Sequence, residues 1–216
     1  MAKIKSGILS KVQGKVAGVV GATWKGKNYL RELVKPGNPN TPAQQLQRGK
    51  MSVAVMASRT FLAPVLTRFV SKSVKDMSAY NWFVKQNIAA KEAVTSDIKD
   101  LMLSFGPMVA PSFDAADCEI NLNKLNVSNL VAPAVPAGHQ CVAILGICTP
   151  DANTSSYSVK DVAAGAISPA LQTTLASEFT GHVFVSVFFA DVTGYGTSAE
   201  KVWAISNTCT VDFLAA

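Results

Sequence analysis

The sequence has few of the residues that enzyme active sites use. Of its 216 residues only 16% are charged, and only two are histidines, His139 and His182. Neither histidine is flanked by a nucleophile-elbow pattern, and no Gly-Lys-Ser/Thr ending of a Walker A loop occurs. The one acidic cluster, Asp114, Asp117 and Glu119, is explained by a solvated loop. We therefore predict that the protein is not an enzyme and has no catalytic residues.

Closely paired cysteines are also missing. The four cysteines contain no C-x-x-C motif, and the spacing of Cys141 and Cys148 is too wide for a zinc knuckle. Residues 141–148 form an apolar run, which favours buried free thiols. With only two histidines available, we predict neither a metal site nor a cofactor.

Long uncharged apolar segments are lacking as well. No run of 18 apolar residues occurs, so the sequence predicts no transmembrane helix. The first ten residues have the positive start of a signal peptide, but Lys11 and Lys15 interrupt any apolar core. The sequence predicts a protein synthesised in the cytoplasm without a signal peptide.

Acidic residues are scarce in the first half of the chain. Residues 1–100 hold 17 Lys/Arg against 5 Asp/Glu, a net charge of +12, whereas residues 101–216 hold 3 against 9, a net charge of −6. A basic end favours nucleic acid or an anionic surface as a partner, and an acidic end favours the basic end of a neighbour. Compositional drift between two domains is the simpler explanation.

The first part of the chain changes from strand to helix patterns near residue 40. Residues 1–36 combine β-formers with regularly placed glycines, which predicts two or three strands with a hairpin tip at Gly26. Thr41, Pro42 and Gln44 form a helix start with a capping box. That helix is predicted to run to about Leu62, where Pro64 forces a kink or a break. A further short helix is predicted after Pro64 and a third beginning at Ser78.

From residue 97 onward the pattern becomes that of short strands. Strands are predicted at 140–148, 155–159, 182–190, 201–205 and 208–213, with alternation also at 101–105 and 120–127 and with 171–179 left open. The predicted fold class is α+β: a basic, glycine-rich β-hairpin arm (residues 1–36), a helical unit (37–96) and a C-terminal antiparallel immunoglobulin-like β-sandwich (97–216).

The basic hairpin is the candidate functional surface. It interleaves cations with aromatic rings, a composition typical of strand-based nucleic-acid platforms. The simpler interpretation is that the rings pack on the helices while the lysines face water. The candidate partner or nucleic-acid contacts are Lys15, Trp24, Lys25, Lys27, Tyr29 and Arg31.

Two blocks of the sequence resemble a known family. The first is Gly14–Gly21, which reads Gly-Lys-Val-Ala-Gly-Val-Val-Gly, followed by Trp24-Lys25-Gly26, Tyr29 and Arg31. The second is Asn-Pro-x-Thr-x-Ala-Gln…Gln-Arg at 38–48. Both resemble an uncharacterised domain family associated with Bacteroidetes and phages. The element at 78–81 is similar to the family's later helix, and the run at 180–185 is similar to its immunoglobulin-like part. The resemblance implies no activity, and similar helices in tailed-phage proteins imply a virion component.

Three functions are compatible with these observations. The leading hypothesis is a non-enzymatic structural protein that self-assembles as a homo-oligomer, or with other proteins of a particle, into a phage virion component such as a capsid, neck, tail or fibre. The second is a nucleic-acid-binding module that uses the basic N-terminus. The third is an immunoglobulin-like adhesion or carbohydrate-binding module with ligand contacts near residues 193–196.

Overall fold

The computed structural model describes residues 2–4, 13–24, 26–35, 37, 39–90, 101–150, 155–163, 171–174 and 180–215. The chain divides into two compact units, Met1–Thr41 and Pro42–Ala216. Strands in antiparallel sheets combine with helices, which confirms the predicted α+β class. The sequence predicted domain boundaries between residues 36 and 37 and between residues 96 and 97. Pro36 and residues 91–100 lie outside the described residues, so both boundaries stay predictions.

The first unit contains a four-stranded antiparallel sheet in the order β1-β4-β3-β2. Two-residue turns join β2 to β3 and β3 to β4. Positive φ angles at Ala17 (50°) and Gly26 (73°) suit the tight turns that right-twisted hairpins favour. The predicted hairpin with Gly26 at its tip is therefore confirmed. The strands are β1 (Ala2–Ile4), β2 (Gly14–Val16), β3 (Val19–Trp24) and β4 (Lys27–Glu32).

The second unit begins with a long helical stretch. Helix α1 spans Pro42–Phe61, with proline at the first position as predicted, and continues directly as a π-helix over Leu62–Val70. The Ser71 N–H donates to the Leu66 carbonyl at 2.8 Å, five residues back, which is π-helical spacing. The predicted end of the α-helix near Leu62 and the helical residues after it are confirmed, whereas a break at Pro64 is wrong. The hydrogen-bond pattern widens around Pro64, which has no N–H to donate, and the helix continues.

By length and composition alone, Pro42–Val70 is long and apolar enough to cross a membrane, since it contains an 18-residue window with a mean hydropathy of 1.4. Its buried side chains, among them Ala54, Phe61, Leu66 and Phe69, pack in the core of the second unit. A core helix passes the same test, so the stretch is only weak support for a membrane span.

Helix α2 spans Ala79–Ala90 and begins where the sequence predicted. The Ser78 hydroxyl accepts a hydrogen bond from the Asn81 N–H at 3.2 Å, as an N-terminal cap does. Near the other end, the buried Asn87 amide donates to the carbonyls of Phe83 (3.0 Å) and Met102 (2.9 Å) and accepts from the Met102 N–H (2.9 Å). One side chain thereby fastens the helix to the segment at residues 101–108.

Eight strands follow within the described residues, and they form two antiparallel sheets. One sheet has the order β11-β10-β7-β8, with β12 also pairing with β10, and the other has the order β5-β6-β9. The five strands predicted between residues 140 and 213 are confirmed. The stretch at 171–179, for which the sequence left strand or loop open, begins with strand β9, and residues 175–179 lie outside the described residues. The strands are β5 (Cys118–Asn121), β6 (Lys124–Val127), β7 (Gln140–Pro150), β8 (Ser155–Ala163), β9 (Leu171–Thr174), β10 (Gly181–Thr193), β11 (Lys201–Ile205) and β12 (Cys209–Ala215).

The central strands β7 and β10 are buried on both faces. Val142, Ile144 and Phe188 point into a core shared with the helices. The alternating residues, such as Leu145 and Val185, point into a second core lined by the β5-β6 hairpin. Because successive strand residues face opposite sides, two apolar layers require two nearly continuous apolar strands. The predicted alternation at 120–127 proves to be this hairpin.

The segment at 101–108 forms no strand, although the alternation at 101–105 predicted one; its one β-bridge joins Met108 to Ser206. Its backbone is held by side chains: the Thr208 hydroxyl accepts from the N–H groups of Leu103 (3.0 Å) and Ser104 (2.8 Å). The Asn207 side-chain oxygen accepts from the Gly106 N–H at 3.1 Å. Side-chain oxygens thus bind N–H groups of this segment, and two backbone bonds add to them: Met108 N–H to the Ile205 carbonyl and Thr208 N–H to the Ser104 carbonyl. Leu101 and Leu103 remain fully buried.

Gly106 is expected to tolerate no side chain. A Cβ atom there would lie 2.1 Å from the Ile205 carbonyl oxygen, so Gly106→Ala should lower the free energy of unfolding by about 1–3 kcal/mol. Gly49→Ala is the matched control, since Gly49 lies in α1 with nothing within 4 Å and alanine should raise stability by about 0.5–1 kcal/mol. Urea unfolding of both variants checks the opposite signs, and a Gly106→Ala variant of wild-type stability would contradict the close contact.

Candidate nucleic-acid interface

The backbone register of the first sheet sorts its residues onto two faces. Lys15 pairs with Val20 and Val20 pairs with Arg31, so these three positions share a face. Lys27 and Tyr29 precede Arg31 at two-residue intervals along β4, which places them on the same face. We call this surface the basic face and define it by Lys15, Lys27, Tyr29 and Arg31.

Two further candidate residues are only partly covered by the structure. Trp24 pairs with Lys27 in the backbone register and therefore occupies a basic-face position, but its side chain lies outside the described residues. Lys25 lies outside the described residues altogether. Their predicted roles as contacts stay predictions, whereas the shared face of the other four candidates is a feature of the sheet.

Charge is segregated across the sheet. Lys15, Lys27 and Arg31 are exposed and Tyr29 is half-buried. The only carboxylate in residues 1–41, Glu32, pairs with Val19 and so lies on the opposite face. Among the described residues, no carboxylate forms an ion pair with any of the three cations. The basic face therefore carries positive charge that no neighbouring group on its own sheet neutralises.

This arrangement suits a polyanion. Residues two apart on a strand are about 7 Å apart, so β4 presents a cation, an aromatic ring and a second cation in a row. Lysine and arginine attract phosphates without reading sequence, and a tyrosine ring between them offers a surface on which a base can stack. The chemistry is that of backbone binding and not of base-specific recognition.

Both histidines are paired with aspartates. His139 Nδ1 lies 2.8 Å and 3.1 Å from the two carboxylate oxygens of Asp191, and His182 Nδ1 lies 2.9 Å from Asp212 Oδ1. The second pair is largely exposed, whereas the first is mostly buried. Neither pair was predictable from the sequence, because the partners are far apart in the chain and strand pairing brings them together: β10 with β12 for His182 and Asp212, and β10 with β7, which begins directly after His139, for His139 and Asp191.

The acidic cluster at residues 114–119 has a structural role. The Asp114 side chain accepts from the Ala116 N–H at 2.8 Å, and the Asp114 N–H donates to Asp117 Oδ2 at 2.9 Å, a reciprocal capping box. A hydrogen bond from the Asn129 amide, with the backbone bond from Asp114, lowers the pKa of Asp117. The carboxylates therefore stabilise a turn, in agreement with the predicted loop.

Within the described ranges, no group of three or more His, Cys, Asp or Glu side chains is placed to hold a metal ion. The four cysteines are free thiols, with Cys118, Cys141 and Cys148 buried and Cys209 half-buried, which confirms the prediction of buried free thiols in the 141–148 run. Burial raises the pKa of Cys118 to about 12 and that of Cys141 to about 11, with nearby aspartates adding to both. Thiols this weakly acidic are poor nucleophiles at neutral pH.

Part of the chain matches a known family model. Residues 11–116 match the model of DUF6266, a family of unknown function. The DUF6266 match covers β2 to β4, both α-helices and the segment at 101–108, a little under half of the chain. A search of curated proteins and a search of solved structures returned no match. The predicted resemblance to an uncharacterised family is confirmed to this extent, and the match carries no activity with it.

We expect Cys118 and Cys141 to resist alkylation in the folded protein. A pKa near 11 or 12 leaves at least about 100-fold less thiolate at pH 8 than an ordinary thiol has, and burial slows access further. Iodoacetamide labelling followed by peptide mass spectrometry should modify the half-buried Cys209 first. In about 8 M urea, which serves as the unfolding control, all four cysteines should react alike. Equal labelling of Cys118 with and without urea would contradict the burial.

Proposed function

We propose that the protein is a non-enzymatic structural component of a particle that contains nucleic acid, such as a phage virion, and that its basic face contacts the nucleic-acid backbone. The observation that carries the proposal is the segregation of charge across the first sheet. Lys15, Lys27 and Arg31 share one face with Tyr29, and the single nearby carboxylate lies on the other. A binding surface for an extended polyanion needs little more than this.

Assembly into a particle is supported by the distribution of charge along the chain. The first 100 residues carry a net charge of +12 and the remainder −6. Contacts between unlike surfaces of successive copies are heterologous, and such contacts generate rings or filaments. In the described part of the first sheet the edge strands are β1 and β2, whose outer backbone groups suit pairing with a neighbour's strand. The phage-associated resemblance of residues 14–48 agrees with this function.

Removing the three cations tests the nucleic-acid contact. The variant Lys15→Ala/Lys27→Ala/Arg31→Ala should bind a single-stranded oligonucleotide more weakly at every salt concentration. Since each lost phosphate contact reduces the salt dependence of single-strand binding by about 0.7, the slope of log K against log salt should become shallower by about 2. Fluorescence anisotropy with a labelled oligonucleotide, titrated at four salt concentrations, measures both quantities.

The control is matched in charge. Lys72→Ala/Lys75→Ala/Lys85→Ala removes three exposed cations from the second unit and leaves the basic face intact. It should change the slope by much less than the basic-face variant does. If both triple variants lose the same affinity and slope, binding depends on overall charge and the basic face is not the site. Circular dichroism of both variants checks that folding is retained.

Light scattering tests assembly directly. The purified chain, of 22.8 kDa, should form an assembly of many copies whose mass survives nuclease treatment. Raising the salt concentration should shift the assembly toward smaller species, because contacts between oppositely charged ends are screened. A monomer under every condition would contradict the particle function. A monomer that gains mass only with added oligonucleotide would leave nucleic-acid binding as the function.

A further inference from the structure

A cluster at one end of the five-stranded sheet presents an exposed tryptophan among polar and charged side chains. Trp203 lies on β11 and is 52% exposed. The His139 ring stacks against it, with centroids 5.3 Å apart and planes tilted by 22°. The Lys201 ammonium lies over the Trp203 ring, 3.7 Å from its centroid. Even with these two neighbours, half of the tryptophan remains open to a ligand.

The tryptophan is held in place by hydrogen bonds around it. Its indole N–H donates to the Thr193 hydroxyl at 3.2 Å, across the β10–β11 pair in which Thr193 faces Lys201. The stacked His139 ring is itself fixed by the carboxylate of Asp191, at 2.8 Å and 3.1 Å. A register shift between residues 191 and 192 accompanies this arrangement. Bulges of this kind commonly re-aim side chains near functional sites.

We propose that Trp203 stacks on a nucleobase whose phosphate is bound by Lys201, which makes this cluster a nucleotide site on the second unit. A ligand for this cluster must combine a planar ring with an anionic group. The near-parallel stacking with His139 shows that the local geometry accommodates planar partners. Lysine supplies a mobile point charge for phosphate beside the ring.

Lys201 and a nucleobase would compete for the Trp203 ring, and the balance favours the base. A cation–π contact at an exposed ring is weak, whereas stacking of a base on an aromatic side chain is the stronger interaction in single-strand binding proteins. A nucleotide that pairs its phosphate with Lys201 replaces the cation–π contact with a charge-assisted hydrogen bond. The ammonium therefore exchanges one favourable partner, the Trp203 ring, for another, the phosphate.

The site is independent of the basic face, because all of its residues belong to the second unit. Two sources supply the same chemistry: a free mononucleotide and a nucleotide within a single strand. An acidic sugar, which offers an anion without a planar ring, is the competing ligand class.

The experiment follows the Trp203 indole N–H signal in the nuclear magnetic resonance spectrum of the full chain. Trp203→Phe assigns the signal by its disappearance. Adenosine 5′-monophosphate should shift this signal at millimolar concentration, while the signal of the buried Trp82 stays in place. Lys201→Ala should weaken binding of the monophosphate about 10-fold and leave binding of adenosine within about twofold. Lys72→Ala is the matched control and should leave both unchanged.

Three further probes decide the ligand class. Ribose 5-phosphate, which lacks the base, should cause little shift. An oligoadenylate that binds more tightly than the monophosphate identifies a single strand as the source, and equal affinity per nucleotide identifies the free nucleotide. The basic-face triple variant should give the same monophosphate shift as the wild type. Loss of nucleic-acid binding at the basic face is therefore distinguishable from loss of nucleotide binding at Trp203. The proposal is overturned if no shift occurs by about 10 mM, well above a millimolar dissociation constant. It is also overturned if Lys201→Ala changes nothing, or if glucuronate shifts the signal as strongly as the monophosphate.

Discussion

Burial of β7 and β10 on both faces is the constraint on which the second unit depends. Their alternating side chains enter two separate cores, one shared with the helices and one shared with the β5-β6 hairpin. Because successive residues of these strands enter different cores, a polar substitution removes packing from one core and leaves the other in place. At roughly 25 cal/mol per Å² of apolar surface removed from water, side chains such as Phe188 and Phe189 are among the largest stabilising contributions.

Polar side chains form hydrogen bonds with backbone groups that no neighbouring strand pairs. Asn87 satisfies a donor and an acceptor of Met102, and Thr208 accepts from two successive N–H groups of the 101–108 segment. Arg68 in the π-helix binds Glu200 through two hydrogen bonds of 2.7 Å and 2.6 Å, which anchors the loop after β10 to the helical layer. The same loop holds residues 193–196, the ligand loop of the third functional hypothesis. Buried backbone groups outside sheets are costly when unpaired, and Asn87 and Thr208 supply side-chain partners for those of Met102, Leu103 and Ser104.

Local patterns in the sequence predicted what local physics determines. Gly26 at a tight turn, Pro42 at a helix start and the apolar runs of β7 and β10 each depend on near neighbours. The π-helix was not predictable, because Pro64 removes one donor but packing decides whether the helix breaks or widens. The 101–108 segment has strand-like alternation, yet its partners are side chains more than 100 residues away. For the candidate site, composition identified the cations, and only the register showed that Glu32 lies on the other face. The Trp203 cluster required strand pairing that composition does not contain.

The pairing of β10 has a consequence for the order in which the sheet is completed. One side of β10 is shared by two partners in succession: β12 covers residues 181–187 and β11 covers residues 190–193. On a ribosome, β7 and β8 are available to a growing chain long before β12 is. The first seven residues of β10 therefore present bare N–H and C=O groups until Cys209–Ala215 have been synthesised, a window in which chaperones or another nascent copy have access to that edge.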